Sequence, residues 1–307
     1  MDIDKIKKAE VAFRNSNELD SWLEYFSIHT WNKIGFARKR DGLKMHETTI
    51  TQDFVFELWV ALEQYKWSIS VFEATSESTN GNDLEILVCT KKGYIILACQ
   101  AKIIYKSDKY KAITHQVETK SKEIITQAEL LIRYAKKEQG IPIYLFYNFC
   151  KDEEDLNQVK KQIGGTYEIE NLGCSIAFAT DIKKEYYDNR KKSAWEIPSF
   201  KDIHPKFAEP LNQFIMNLRN MNGQTVLCNK IPFPSTFKFY TFEEVNQDKN
   251  WSLISTGALQ QTIDEKKAKK KDDAELNNDD MDATERNKLS TIKFKPKFRL
   301  VLNCKNS

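Results

Sequence analysis

The residues with the clearest chemical potential sit in one stretch, SESTNGNDLEILVCTKKGYIILACQAKIIY, residues 76–105. DLEILVCT (83–90) and YIILACQAK (94–102) are β-branched and apolar runs of strand length. Thr90, Lys91, Lys92 and Gly93 between them suit a hairpin whose turn a glycine relieves. Residues two apart on a strand share a face, so Asp83 and Glu85 share one face of the first strand, and Gln100 and Lys102 one face of the next. The hairpin thus gathers two carboxylates, a carboxamide oxygen and an ammonium, with Asn80, Gly81 and Asn82 leading in. Such a cluster is costly among Ile, Leu and Val unless something offsets its charge. A divalent cation does so. Mg2+ (or Mn2+) takes hard oxygen ligands and keeps several waters, so one Asp, one amide or backbone oxygen and a substrate phosphate suffice. Lys102 can orient and help deprotonate the attacking water while the cation stabilises charge on the phosphoryl oxygens. The chemistry read from these residues is phosphodiester hydrolysis. The bland alternative is that Asp83 and Glu85 line the wet face of an edge strand and pair with Lys102.

These residues need elements to position them. Helical spacing runs through NSNELDSWLEYFSIHTW, where Leu19, Trp22, Leu23 and Phe26 share a face, and again from about Glu47 to Gln64. WSISVFEA (67–74) is a strand before the hairpin. A long helix is expected from about Ile113 to Glu138, closed by Gly140 as its C-cap, with IPIYLFYNF (141–149) a strand after it. A strand, a helix and another strand form a crossover unit, which places the fourth strand parallel to an earlier one. Asp152 to Ile163 reads as a short helix, CSIAFAT (174–180) as a strand and His204 to Leu218 as a helix. Residues 264–288 carry seven Lys/Arg against nine Asp/Glu and read as a solvated disordered loop, spanning 264–289 in all. TIKFKPKFRLVLN (291–303) regains strand character and is expected to pair a sheet edge.

Composition sets outer limits. The chain has 307 residues, with 47 Lys+Arg against 44 Asp+Glu and a formal net charge of +3, too small by itself to name a nucleic-acid binder. No apolar run reaches the ~18 residues of a membrane span. The charged start MDIDKIKKAEVAF does not resemble a secretory leader, so a cytoplasmic protein is expected. The six cysteines form no CxxC pair, which argues against zinc ribbons and disulfide scaffolds and for buried free thiols. His29, His46, His115 and His204 show no zinc spacing. No GxSxG, P-loop or dinucleotide fingerprint appears. From Lys91 to Gln139, however, eleven Lys/Arg stand against five acids, with Tyr94, Tyr105 and Tyr110 interleaved. Clustered charge and aromatic faces suit phosphates and bases; a lysine-rich solvated helix face accounts for part of the excess. Lys91, Lys92, Lys106, Lys109 and Lys111 are the candidate phosphate contacts. Gln127, on the crossover helix, is placed to touch the site or a phosphate, with a solvated helix position the equal alternative.

Asp83, a spacer of hairpin length, and then Gln100, Ala101 and Lys102 resemble the signature of the PD-(D/E)XK nuclease superfamily, in the variant where Gln replaces the second acid, as in Mrr-type restriction endonucleases. The order of elements is similar too. The resemblance implies an α/β restriction-endonuclease-like core: a mixed sheet of three antiparallel strands, a crossover helix and a fourth strand, with helical additions. It implies that Asp83 binds metal, Gln100 is the substituted second ligand and Lys102 is the catalytic lysine. Glu47, in HETTIT, matches the extra glutamate that some members carry on the preceding helix, for which Glu57 is the other candidate. NGxDLE, a QAK strand and IPxYxFYN recur in this order in a family of uncharacterised restriction-endonuclease-like proteins, as they do here. The expected organisation is a helical addition over 1–44, a nuclease core over 45–220 and a C-terminal extension over 221–307. The expected function is a metal-dependent endonuclease acting on DNA, with RNA open, in bacterial defence against phage; a homodimer is the default and no membrane is involved. A neutral carboxamide binds a divalent ion less strongly than a carboxylate. The alternative is therefore a nucleic-acid-binding or regulatory module that keeps the fold without turnover, and an enzyme of small phosphoesters is a third reading.

Overall fold

The computed structural model describes residues 3–16, 18–40, 42–65, 69–74, 83–118, 124–188, 197–220, 238–248, 251–254 and 296–302. Three helices open the chain: α1 (Ile3–Ser16), α2 (Leu19–Arg38) and α3 (Glu47–Tyr65). Three strands follow: β1 (Ile69–Ala74), β2 (Asp83–Thr90) and β3 (Gly93–Ile103). A small hairpin of β4 (Gln116–Glu118) and β5 (Ile124–Thr126) leads into α4 (Gln127–Lys137) and then β6 (Ile141–Tyr147). The chain continues through α5 (Glu153–Ile163), β7 (Cys174–Phe178), α6 (Ala179–Tyr186), α7 (Phe200–Ile203), β8 (Ala208–Pro210) and α8 (Leu211–Asn220). The last described elements are α9 (Phe242–Asn246), β9 (Trp251–Ile254) and β10 (Phe298–Leu302).

Eight of these strands form one mixed sheet, in the order β8-β7-β6-β3-β2-β10-β1-β9. β2 and β3 are antiparallel through a turn that needs Gly93, whose φ of 128° is a value other residues rarely adopt. The step from β3 through α4 to β6 brings β6 parallel to β3, as the crossover pattern requires. On one face, Leu84, Ile86, Leu97, Cys99 and Leu145 pack with α1, α2, α3 and α8. On the other, Ala98, Tyr144, Phe146 and Ala177 pack with α4, α5, α6 and α7. The protein is therefore α/β with a helix-covered mixed sheet, and both faces of the hairpin strands are buried.

Four expectations are corrected. β10 does not pair an edge: it lies inside the sheet, antiparallel to β1 and parallel to β2, so β1 and β2 are not neighbours. The reason is visible in FRLVL, where four consecutive side chains are buried, as suits a strand covered on both faces. The helix expected from Ile113 is half as long, because Ile124, Ile125 and Thr126 are β-branched and form a strand, and the Thr126 hydroxyl caps α4 by accepting from Glu129 N at 3.1 Å. At its other end the left-handed residue is Gln139, with φ 46°, while Gly140 is required because a Cβ would meet the Ile96 carbonyl at 2.7 Å. The helix expected from His204 starts only at Leu211, after β8, with Pro210 immediately before its first turn. Cys99, Cys150 and Cys174 are free and buried, but Cys89 is disulfide-bonded. The loop expected over 264–289 also lies outside the described residues.

Candidate active site

The register of the hairpin fixes which polar groups meet. Asp83 stands opposite Gln100 and Glu85 opposite Ala98, and Lys102 lies two residues beyond Gln100, so all four occupy one face. The hairpin is central rather than at an edge, with β10 beside β2 and β6 beside β3. Glu85, 0% exposed, therefore does not line the wet face of an edge strand.

Glu85 is fully committed to the fold. It is 0% exposed and accepts from Arg299 Nε at 2.7 Å and from the Tyr134 hydroxyl. Burial pushes its carboxyl up from the ordinary value while the Arg299 guanidinium opposes that shift. Arg299 also donates to Asp248 at 3.1 Å and lies over the Trp251 ring. The pair ties β10 to β2, and Tyr134 ties α4 to both.

Gln100 and Lys102 differ. Gln100 is 7% exposed, and its Oε1 atom is buried with no hydrogen-bond partner among the described residues. Lys102, 3% exposed, donates from Nζ to Gln127 Oε1 at 2.7 Å. Gln127 is the first residue of α4, held there by the Thr126 cap, so the sequence-level candidate on the crossover helix does touch the lysine. An ammonium this buried needs acceptors, and Gln127 supplies one of them.

Glu47 arrives from the other layer as the first residue of α3. Its Oε1 atom accepts from Ile103 N at 3.0 Å. Along β3 the N–H groups alternate sides: that of Ile104 reaches Tyr147 O on β6, so that of Ile103 turns toward the β2 side. The β2–β3 register ends at Asp83–Gln100, and Glu47 fills the place beyond it. Glu57 is bound up with Lys33, 3.9 Å away, between α2 and α3.

The basic candidates split in two. Lys91 and Lys92 form the closed tip of the hairpin, eight residues from Asp83 along the strand, or about 27 Å at ~3.4 Å per residue. They do not flank the Gln100–Lys102 end. Lys106, Lys109 and Lys111 do, on the segment that follows β3; Lys106 and Lys111 are exposed and Lys109 half-buried. Of the tyrosines, Tyr94 and Tyr110 are buried and only Tyr105 presents a ring, at 42% exposed. Burial and the Glu47 carboxylate push its hydroxyl above the ordinary value.

Sequence reasoning missed Arg38. Its buried guanidinium donates to Asp108 Oδ1 at 2.7 Å and to the carbonyls of Phe149 and Ile104, clamping the segment after β3 to the end of α2. The signal is weak: Arg38 opens a basic triplet that reads as surface, and Asp108 sits at φ 54° in a turn.

Among the described residues no three His, Cys, Asp or Glu side chains converge as a metal site. The oxygen donors at the open end of the hairpin still suit a hard cation, since Gln100 Oε1 is buried and unused opposite Asp83 and magnesium needs few protein ligands.

Fold and site together define an α/β protein with a polar cluster at one end of a central hairpin. The chain belongs to the family of unknown function DUF6615, whose profile matches residues 19–290. No curated protein and no solved structure matches it. No helix among the described residues is long and apolar enough to cross a membrane.

Proposed function

We propose that the protein is a metal-dependent nuclease with a restriction-endonuclease-like core, hydrolysing phosphodiester bonds of DNA at the open end of the β2–β3 hairpin. The observation that carries this reading is the buried, unpartnered Gln100 Oε1 opposite Asp83, with the Lys102 ammonium two residues on and braced by Gln127. Asp83 and Gln100 would hold Mg2+ or Mn2+, which supplies Lewis-acid stabilisation of the phosphoryl oxygens. Gln127 holds the Lys102 side chain along the face where a phosphate would lie. From there Lys102 orients the attacking water and favours loss of its proton. Glu47 fixes the end of β3 through Ile103 N and so sets where Lys102 leaves the strand. Lys106, Lys109 and Lys111 border the same end and suit backbone phosphates.

The test is cleavage of single-stranded, plasmid and linear duplex DNA by purified protein. Activity should require magnesium or manganese, vanish with a chelator and be lost in Asp83→Ala. Cleavage that survives chelation and Asp83→Ala would refute the site. A second reading, a nucleic-acid-binding module without turnover, is favoured by the neutral Gln100; metal-independent DNA binding with no cleavage would select it.

A further inference from the structure

A cleft of about 650 Å3 opens at the same end of β3 but on the α2–α3 side. Ile34, Ala37 and Met45 give it an apolar lining, and Lys44, His46 and Lys106 bring cationic or protonatable groups to it. Glu47 and Tyr105 also line it, whereas Gln100 and Lys102 do not. Ile103, one residue past Lys102, forms part of its wall, so cleft and proposed active site adjoin through a single strand position. The Arg38–Asp108 pair and the Arg38 bond to the Ile104 carbonyl keep that wall in place.

The volume falls in the range that encloses a drug-sized ligand, which is the size of one or two nucleosides. Tyr105 offers a ring 42% exposed, and aromatic rings bind bases by their flat faces. Within a duplex those faces are covered by stacked neighbours, so such a contact requires an unpaired or displaced base. The Glu47 carboxylate suits an amino group on a base edge and repels phosphates, which the lysines attract.

We propose that this cleft is a base-binding subsite for an unpaired nucleotide next to the scissile phosphate, so that the substrate is single-stranded or frayed nucleic acid rather than intact duplex. The assignment of the neighbouring phosphate rests on the nuclease reading above; the preference for an unpaired base does not.

The experiment is fluorescence anisotropy of a short labelled single strand and of the same sequence as a blunt duplex, with calcium replacing magnesium so that binding is read without cleavage. The wild type should bind the single strand more tightly. Tyr105→Ala should weaken single-strand binding roughly five- to 150-fold, from the ~1–3 kcal/mol of base–aromatic stacking, while Tyr105→Phe retains it. Unchanged affinity in Tyr105→Ala, or equal affinity for duplex, would overturn the proposal, as would mononucleotides binding as tightly as the strand. A protein that never cuts in magnesium yet shows the Tyr105-dependent preference keeps the cleft and loses the catalytic reading. One that cuts duplex with Tyr105-independent affinity keeps the catalytic reading and loses the cleft.

Discussion

Glu85 and Gln100 occupy the same face of the same hairpin, and both are buried, yet they are in opposite condition. Glu85 has its oxygens filled by Arg299 and Tyr134, and the three groups lock β2, β10 and α4 together. Gln100 keeps a buried oxygen without a partner among the described residues, at the end of the hairpin where Lys102, Gln127 and Glu47 also gather. Burial is common to both; what separates them is whether the buried polar group has been satisfied.

The comparison can be broken at either pole. The largest effect is expected at Glu85: Glu85→Ala leaves the Arg299 guanidinium buried without its carboxylate and should cost about 3–5 kcal/mol in urea unfolding. A loss below about 1 kcal/mol would show that the pair does not anchor β10. Gln100→Glu sharpens the other pole by placing a charge where none is paired. In the presence of chelator this variant should melt earlier, with a cost of a few kcal/mol, and magnesium should restore it. A melting temperature indifferent to magnesium would mean that no cation sits beside Gln100.

An effect that is smaller per pH unit comes from acid. His204 is 0% exposed; Ser175 Oγ lies 2.7 Å from its Nε2 and the Phe200 carbonyl 3.1 Å from its Nδ1. Burial pushes its imidazole down to about 3, below the ordinary 6.5. Between those values the unfolded chain binds the proton that the folded one refuses, so stability is full above about pH 6.5 and falls toward pH 3, by at most ~1.4 kcal/mol per pH unit. His204→Gln should flatten the acid limb of a pH-dependent urea series. The smallest effect separates the two ends of the hairpin. Reversing the charges of Lys106 and Lys109 should weaken DNA binding and reduce its salt dependence by about one unit for each phosphate no longer bound, while reversing Lys91 and Lys92 should leave both unchanged.

Much of the fold is legible in local pattern. The strands of the hairpin, α3 and β6 follow from β-branched runs and helical spacing, and the shared face of Asp83, Gln100 and Lys102 follows from period two alone. The position of β10 is not legible, because the pairing partners of a strand so far along the chain from β9 are decided by tertiary packing and by Arg299 meeting Glu85. The split of the basic run escapes a linear reading for a related reason: Lys91 and Lys106 are close in sequence, but an antiparallel hairpin sends them to opposite ends. The start of α4 is obscured because a helical period of apolar residues continues through Ile124 and Ile125, where β-branching and the Thr126 cap prevail.

The central claim is that the unsatisfied position, Gln100 with its neighbour Lys102, is catalytic and the satisfied one, Glu85, structural. Magnesium-dependent DNA cleavage by Lys102→Met, alongside its thermal unfolding, tests it most directly. The account predicts a loss of about a hundredfold or more in rate with folding retained, since a buried ammonium is replaced by an apolar chain of similar length. A folded Lys102→Met protein that cuts DNA as fast as the wild type would contradict it.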